Sequence, residues 1–260
     1  MTAETLIAHG GDLVSWHVAS GYCDKPLQRV APEKLRIDFG NVPKVLRVYY
    51  KRDGVLLWHP NAAGASKILA RAVTQDDLQA LPTATYAIVG RVSDPSGHFL
   101  PRTFAFTLGG TAEHAIALYH SPLGARFDHG GGIYGRIVFE NQTPAAWALL
   151  TVTVTPPLGP VLAFTAQADA YGEFRLPLNR LPALTKDAPA SSYGAKLEVR
   201  AAASADVPLD PETLTAAQVA DGKDGDGVSQ FASFFTFAVT PGRIAEVASP
   251  EHDRIVLESM

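Results

Sequence analysis

Apolar and polar residues alternate along most of this chain, the period-2 pattern of strands that bury one face. In Glu33-Lys34-Leu35-Arg36-Ile37-Asp38-Phe39 the apolar positions are every second one, so Leu35, Ile37 and Phe39 share a face. The segments KVLRVYYK and VLLWH flank Arg52-Asp53-Gly54, and Asp-Gly between β-rich runs predicts a tight hairpin because both residues tolerate positive φ. The period changes in GASKILARAVTQDDLQALP. There Ile68, Leu69, Ala72 and Val73 are spaced as on a helix, and Thr74 with Asp77 resembles an N-cap and its acid three residues on. After Pro82 short strand-like segments follow one another from TYAIVGRVS to FASFFTFAVT, divided by Gly, Pro, Asn and Asp turns.

This rhythm predicts a mainly β chain of β-sandwiches joined by hairpins and Greek-key links, with one or two short helices. The segment 205–230 breaks it. DPETLTAAQVA has Pro211 and Glu212 suited to a first helical turn, and the loop DGKDGDGVS follows, so the segment reads as an insertion between two strands. Three internal echoes accompany the pattern. Ala87-Ile88-Val89-Gly90-Arg91-Val92 matches Gly132-Ile133-Tyr134-Gly135-Arg136-Ile137, Asp94-Pro95-Ser96-Gly97-His98-Phe99 matches Asp169-Ala170-Tyr171-Gly172-Glu173-Phe174, and His9-Gly10-Gly11-Asp12 matches His129-Gly130-Gly131-Gly132. The first two offsets disagree, so the echoes read as reused hairpin grammar at least as well as a tandem repeat.

From Ile133 to Val199 the order of elements carries a fuller pattern. Gly135 lies in an opening strand, a turn at Asn141-Gln142 precedes Pro144-Ala145-Ala146, a second strand holds Val152 and Val154, and Asp169-x-x-Gly172-x-Phe174 follows before AKLEVRA. In this the chain resembles the carboxypeptidase regulatory-like domain, a transthyretin-like (prealbumin-like) Greek-key sandwich. The resemblance implies a module that is not itself catalytic and that packs against, or links to, whatever does the chemistry or the assembly. With Gly130, Gly131 and Gly132 taken as a flexible crossing, it divides the chain into residues 1–129, β-rich and open to subdivision near 82, and residues 130–260, the sandwich with its insertion at 205–230.

Composition narrows the chemistry. With 47% hydrophobic and 18% charged residues the chain is globular, and a net charge of -4 offers no general attraction for nucleic acid or an anionic membrane. One cysteine, Cys23, excludes an internal disulfide. The N-terminus has no basic n-region and no long apolar run, so a cytoplasmic chain, or part of a particle assembled in the cytoplasm, is expected.

His129-Gly130-Gly131-Gly132 resembles the loop that gives some esterases their oxyanion hole, which calls for a downstream Gly-x-Ser-x-Gly. None occurs; Ser204 has neither glycine, and Ser66 lies upstream without the second. The eight histidines show no His-Glu-x-x-His spacing, although His114 and His120 face one side by parity. Asp221, Asp224 and Asp226 form a weak candidate for a hard cation, lacking the EF-hand spacing and with Lys223 in their midst. Tyr49, Tyr50, Trp16, Trp58 and Trp147 could stack on sugars or fill cores. The expected protein is therefore a non-enzymatic structural or adaptor subunit of an assembly such as a phage tail or contractile-injection-like particle, with other protein subunits as partners and no cofactor. A carbohydrate-binding sandwich is the alternative, and a serine hydrolase using the glycine loop a third.

Overall fold

The computed structural model describes residues 9–19, 28–40, 42–44, 46–60, 86–108, 113–156, 159–179, 181–184, 191–203 and 207–259. The predicted helix at 64–82, Cys23, Ser66 and Ser204 lie outside the described residues, as do the side chains of His9 and His59. The protein is mainly β with several sheets; among the described residues the only helical elements are two 3-10 turns, at Pro32–Lys34 and Pro211–Thr213. No helix among them is long and apolar enough to cross a membrane. The chain forms two compact units: Met1–His17, Arg29–Ser93 and Thr103–Ala117 make the first, and Val18–Gln28, Asp94–Arg102 and Leu118–Met260 the second.

In the first unit, strands β1 (His9–Val18), β2 (Arg29–Val30), β4 (Arg47–Lys51) and β5 (Gly54–Pro60) lie in the order β2-β1-β5-β4, with β8 (Glu113–Leu118) also on β1. A three-stranded sheet orders β3 (Arg36–Phe39), β6 (Tyr86–Ser93) and β7 (Arg102–Leu108) as β3-β6-β7. Val14, Trp16, Val55, Leu57, Ile88 and Val92 are buried. The alternation read in Leu35, Ile37 and Phe39 holds, each half-buried between exposed neighbours. The expected hairpin forms, with a different role for its glycine. Lys51 pairs with Gly54, so the two turn residues are Arg52 and Asp53. Gly54 is already in the strand, and a Cβ there would run into the Val14 carbonyl oxygen. Close backbone approach, not positive φ, requires this glycine.

The second unit is a sandwich. One sheet runs β11 (Leu162–Gln167), β10 (Leu149–Val154), β13 (Tyr193–Ala201), with β14 (Thr215–Ala217) and β17 (Phe235–Val239) sharing the far side of β13. The other runs β12 (Glu173–Pro177), β9 (Gly132–Phe139), β19 (Ile255–Leu257), β15 (Val219–Lys223), β16 (Ser229–Ala232), with β18 (Ile244–Glu246) also on β9. Alternate residues of both sheets, among them Ile137, Leu150, Val152, Phe174, Leu197 and Leu257, meet in one buried cluster. Phe174 and Leu176 both point into it, as period-2 alternation along β12 requires.

Two expectations are corrected here. The segment read as an insertion is part of the sandwich: its described residues supply β14, β15 and the start of β16, one strand to the first sheet and two to the second. Its helix signal yields one 3-10 turn, in which Asp210 accepts the Glu212 N–H at 3.1 Å, and Thr215–Ala217 then pairs with β13 as a strand. Pairing with a waiting strand outweighs the weak propensity of a short alanine-containing run. Nor are Gly130, Gly131 and Gly132 a loose crossing. They lie inside the second unit, and a Cβ on Gly130 or Gly131 would strike the carbonyl oxygens of Leu178 or Arg243.

Candidate functional site

Among the described residues one turn is used four times. Asp94, Asp128, Asp169 and Asp224 each accept, through Oδ1, the backbone N–H two residues on, at 2.8, 2.9, 2.8 and 3.0 Å. Each also accepts, through its own carbonyl, the N–H of a glycine three residues on, at 3.0, 3.0, 3.1 and 2.9 Å. Those glycines, Gly97, Gly131, Gly172 and Gly227, have φ between 72° and 80°. An aspartate opening the turn and a left-handed glycine closing it is the chemistry of a type I turn followed by a bulge. The echo between residues 94–99 and 169–174 is this turn, used again at 128–131 and 224–227.

Two candidate sites dissolve into it. The Gly130 N–H donates to Asp128 Oδ1, the Gly131 N–H to the Asp128 carbonyl and the Gly132 N–H to the Arg243 carbonyl at 2.9 Å. All three amides that an oxyanion would need are spent on the fold. In the acidic loop, Asp224 Oδ1 accepts from Asp226 and Val228, closing the β15–β16 hairpin. Asp221, Asp224 and Asp226 are not gathered around a common point; among the described residues no three His, Cys, Asp or Glu side chains are placed to hold a metal ion.

Besides Ser229 Oγ, 3.3 Å from His252 Nε2, serine and histidine meet in two places the sequence reading missed. In the first unit Ser15 Oγ lies 2.7 Å from His17 Nε2 and donates to Glu113 Oε1 at 2.8 Å, where Arg29 also donates at 2.8 Å. The serine proton points at the carboxylate, so His17 is the donor in the Ser–His bond, the reverse of a base activating a nucleophile. Ser15 has no exposure at all. In the second unit Ser96 Oγ lies 2.6 Å from Asp94 Oδ1 and 2.9 Å from His98 Nδ1, inside the exposed 94–98 turn. The signal for both was the spacing Ser-x-His, which puts two side chains on one face of an extended segment.

The aromatic residues form no row. Trp16 and Trp147 are buried, Trp58 is half-buried with the Arg47 guanidinium 5.5 Å from its ring centre, and Tyr49 and Tyr50 follow one another on β4, hence on opposite faces. His114 and His120 belong to different units, and each stacks on its own phenylalanine, Phe106 at 4.5 Å and Phe99 at 4.8 Å.

What the second unit does present is a cleft of ≈ 790 Å³ running along strand β11. Phe164, Thr165 and Ala166 form one wall; Arg175, Arg126 and His120 stand around it. Both arginines are exposed and neither makes an ion pair among the described residues; the Arg175 guanidinium lies 5.9 Å from the Phe127 ring centre. The acid at the rim, Asp128, is already bonded to Gly130 and receives the Asn179 amide at 2.7 Å. The cleft is therefore basic. No local pattern could have shown this, since its walls come from segments far apart in sequence.

His120 Nδ1 is buried without a hydrogen-bond partner among the described residues. Burial is the largest influence on this ring and holds its pKa below the ordinary histidine value of 6.5. The unfolded chain thus takes up a proton first as pH falls. The stability that rests on neutral His120 is complete above 6.5 and is lost on acidification from there down through the lower folded pKa. Unfolding midpoints measured between pH 7 and 5 are expected to fall, and His120→Gln to flatten that slope.

The chain matches no model of a known protein family and no curated protein. Among solved structures it is similar to a streptococcal ancillary pilin, at 6% identity and a TM-score of 0.26, covering 97% of this chain and 70% of the pilin. It is also similar to an endo-fucoidan hydrolase from glycoside hydrolase family 107, at 12% identity and a TM-score of 0.22, covering 93% of this chain and 27% of the hydrolase. Likeness at these scores assigns neither family nor function.

Proposed function

We propose that the chain is a structural or adaptor subunit of a protein assembly, its second unit a carboxypeptidase regulatory-like sandwich that joins neighbouring subunits. The observation that carries this is the edge strand β11. Natural sheets blunt their edges with charges, proline or bulges, because an open edge pairs with any strand that reaches it. Edge strand β12 has such guards in Glu173, Arg175 and Pro177. Leu162-Ala163-Phe164-Thr165-Ala166-Gln167 has none, and its register with β10 is unbroken over all six residues. At the other end of the same sheet, Phe235-Thr236-Phe237-Ala238-Val239 is also uncharged. A sheet open at both ends is suited to joining subunits.

The assembly in mind is a phage tail or contractile-injection-like particle. On a sucrose gradient of lysate from the source cells, the protein is expected to sediment with particles and far ahead of a free 27.7 kDa chain. Thr165→Lys, which places a charge on the β11 edge, is expected to move it to the light fractions. Wild-type protein found only at the position of the free chain would sink this reading.

A further inference from the structure

We infer that the cleft along β11 receives an extended acidic segment of another protein, added to β11 as a further strand with its carboxylates on Arg126 and Arg175. The inference deepens the assembly reading above and rests on it: that reading says the edge joins subunits, and this one names what the edge accepts.

The backbone points to a strand. Ala168 N–H bonds the Ala148 carbonyl at 2.7 Å, so by alternation the amides of Ala166 and Phe164 face β10. The amides of Ala163 and Thr165 then face the other way, into the open edge, and no backbone group among the described residues bonds them. A β11-length strand of six residues, at about 3.3 Å each, runs about 20 Å. The side chains point to acid. Two arginines that make no ion pair among the described residues flank the groove, and the carboxylate among its described lining residues, Asp128, accepts from Gly130 and Asn179. A guanidinium in this position binds a carboxylate through paired N–H donors, which fixes register as well as charge. The groove wall between them is apolar, formed by Phe164, Ala166 and Leu176, and suits the alternate side chains of an Asp- or Glu-bearing strand.

The test uses the full chain and three fluorescein-labelled octapeptides: one alternating valine and glutamate, one alternating valine and lysine, and one valine–glutamate peptide N-methylated at every second amide. Fluorescence anisotropy is expected to show binding of the first alone. That binding should weaken about tenfold in each of Arg126→Ala and Arg175→Ala, and more in the double variant. Both arginines are exposed, so the variants should fold as the wild type does. No binding of the valine–glutamate peptide overturns the inference. So does equal binding of the lysine peptide, equal binding of the N-methylated peptide, which would mean adsorption of a polyanion without strand pairing, or indifference to both arginine variants. The two readings fail separately. A protein that sediments with particles but ignores the acidic peptide keeps the assembly reading and loses this one, and a peptide-binding protein found only as a free chain does the opposite.

Discussion

Arg102→Ala is expected to destabilise the second unit by about 3–5 kcal/mol, read as a lowered guanidinium unfolding midpoint. The Arg102 side chain is 2% exposed and pairs with Asp210, whose side chain is 11% exposed, with Glu212 Oε1 a further 3.7 Å contact. Truncating the arginine leaves the Asp210 carboxylate buried without its cation, and that desolvation is the larger part of the cost. Removing both charges should therefore hurt less than removing one. Arg102→Met with Asp210→Asn, which keeps an oxygen for the Glu212 N–H, is expected to recover much of the loss. A single Arg102→Ala variant within about 1 kcal/mol of wild type would show that the Arg102–Asp210 pair carries little of the stability.

Gly172→Ala should cost about 3 kcal/mol and Gly227→Ala about 1 kcal/mol, though the two glycines close the same turn at φ 77° and 80°. Both alanines bear the strain of the left-handed region. Only at Gly172 would the new methyl also drive into a neighbour, the Ile137 carbonyl oxygen; around Gly227 there is nothing within 4 Å. Gly131, facing the Arg243 carbonyl, should behave as Gly172 does, and Gly97, which is open, as Gly227. Chemical unfolding of the four variants separates backbone strain from collision. Equal losses at all four positions would refute the division.

The sequence was most legible where a residue acts on its near neighbours. Alternation located β3 and the sandwich strands, and Asp-x-x-Gly marked turns whose aspartates and glycines act within five residues of one another. It was least legible where the outcome rests on distant partners. Asp210-Pro211-Glu212 carries a sound helix start, yet one 3-10 turn forms because β13 is there to pair with Thr215–Ala217. Ile255–Leu257 is three residues long, too short to show a period, and all three are buried because Ile255 and Leu257 face the sandwich core while Val256, on the other face, packs with Val138 and Ala220. The candidate site followed the same rule. His129-Gly-Gly-Gly resembled a known loop only while Arg243 and Leu178 were out of view, and Arg126 and Arg175 have no motif to announce them.

The place of β19 has a consequence for biosynthesis. It lies between β9 and β15, pairing parallel with β9 through Ile255 to Ile137 and Leu257 to Phe139. Once β9 has emerged from a ribosome it lacks that neighbour until residues 255–257 follow, and the half of its edge that β19 will occupy is bare. The sandwich can close only when residue 257 has cleared the exit tunnel, so its last step waits on a strand made long after its partner and is slow by that long-range pairing. Until then the nascent chain exposes an apolar strand edge open to mispairing.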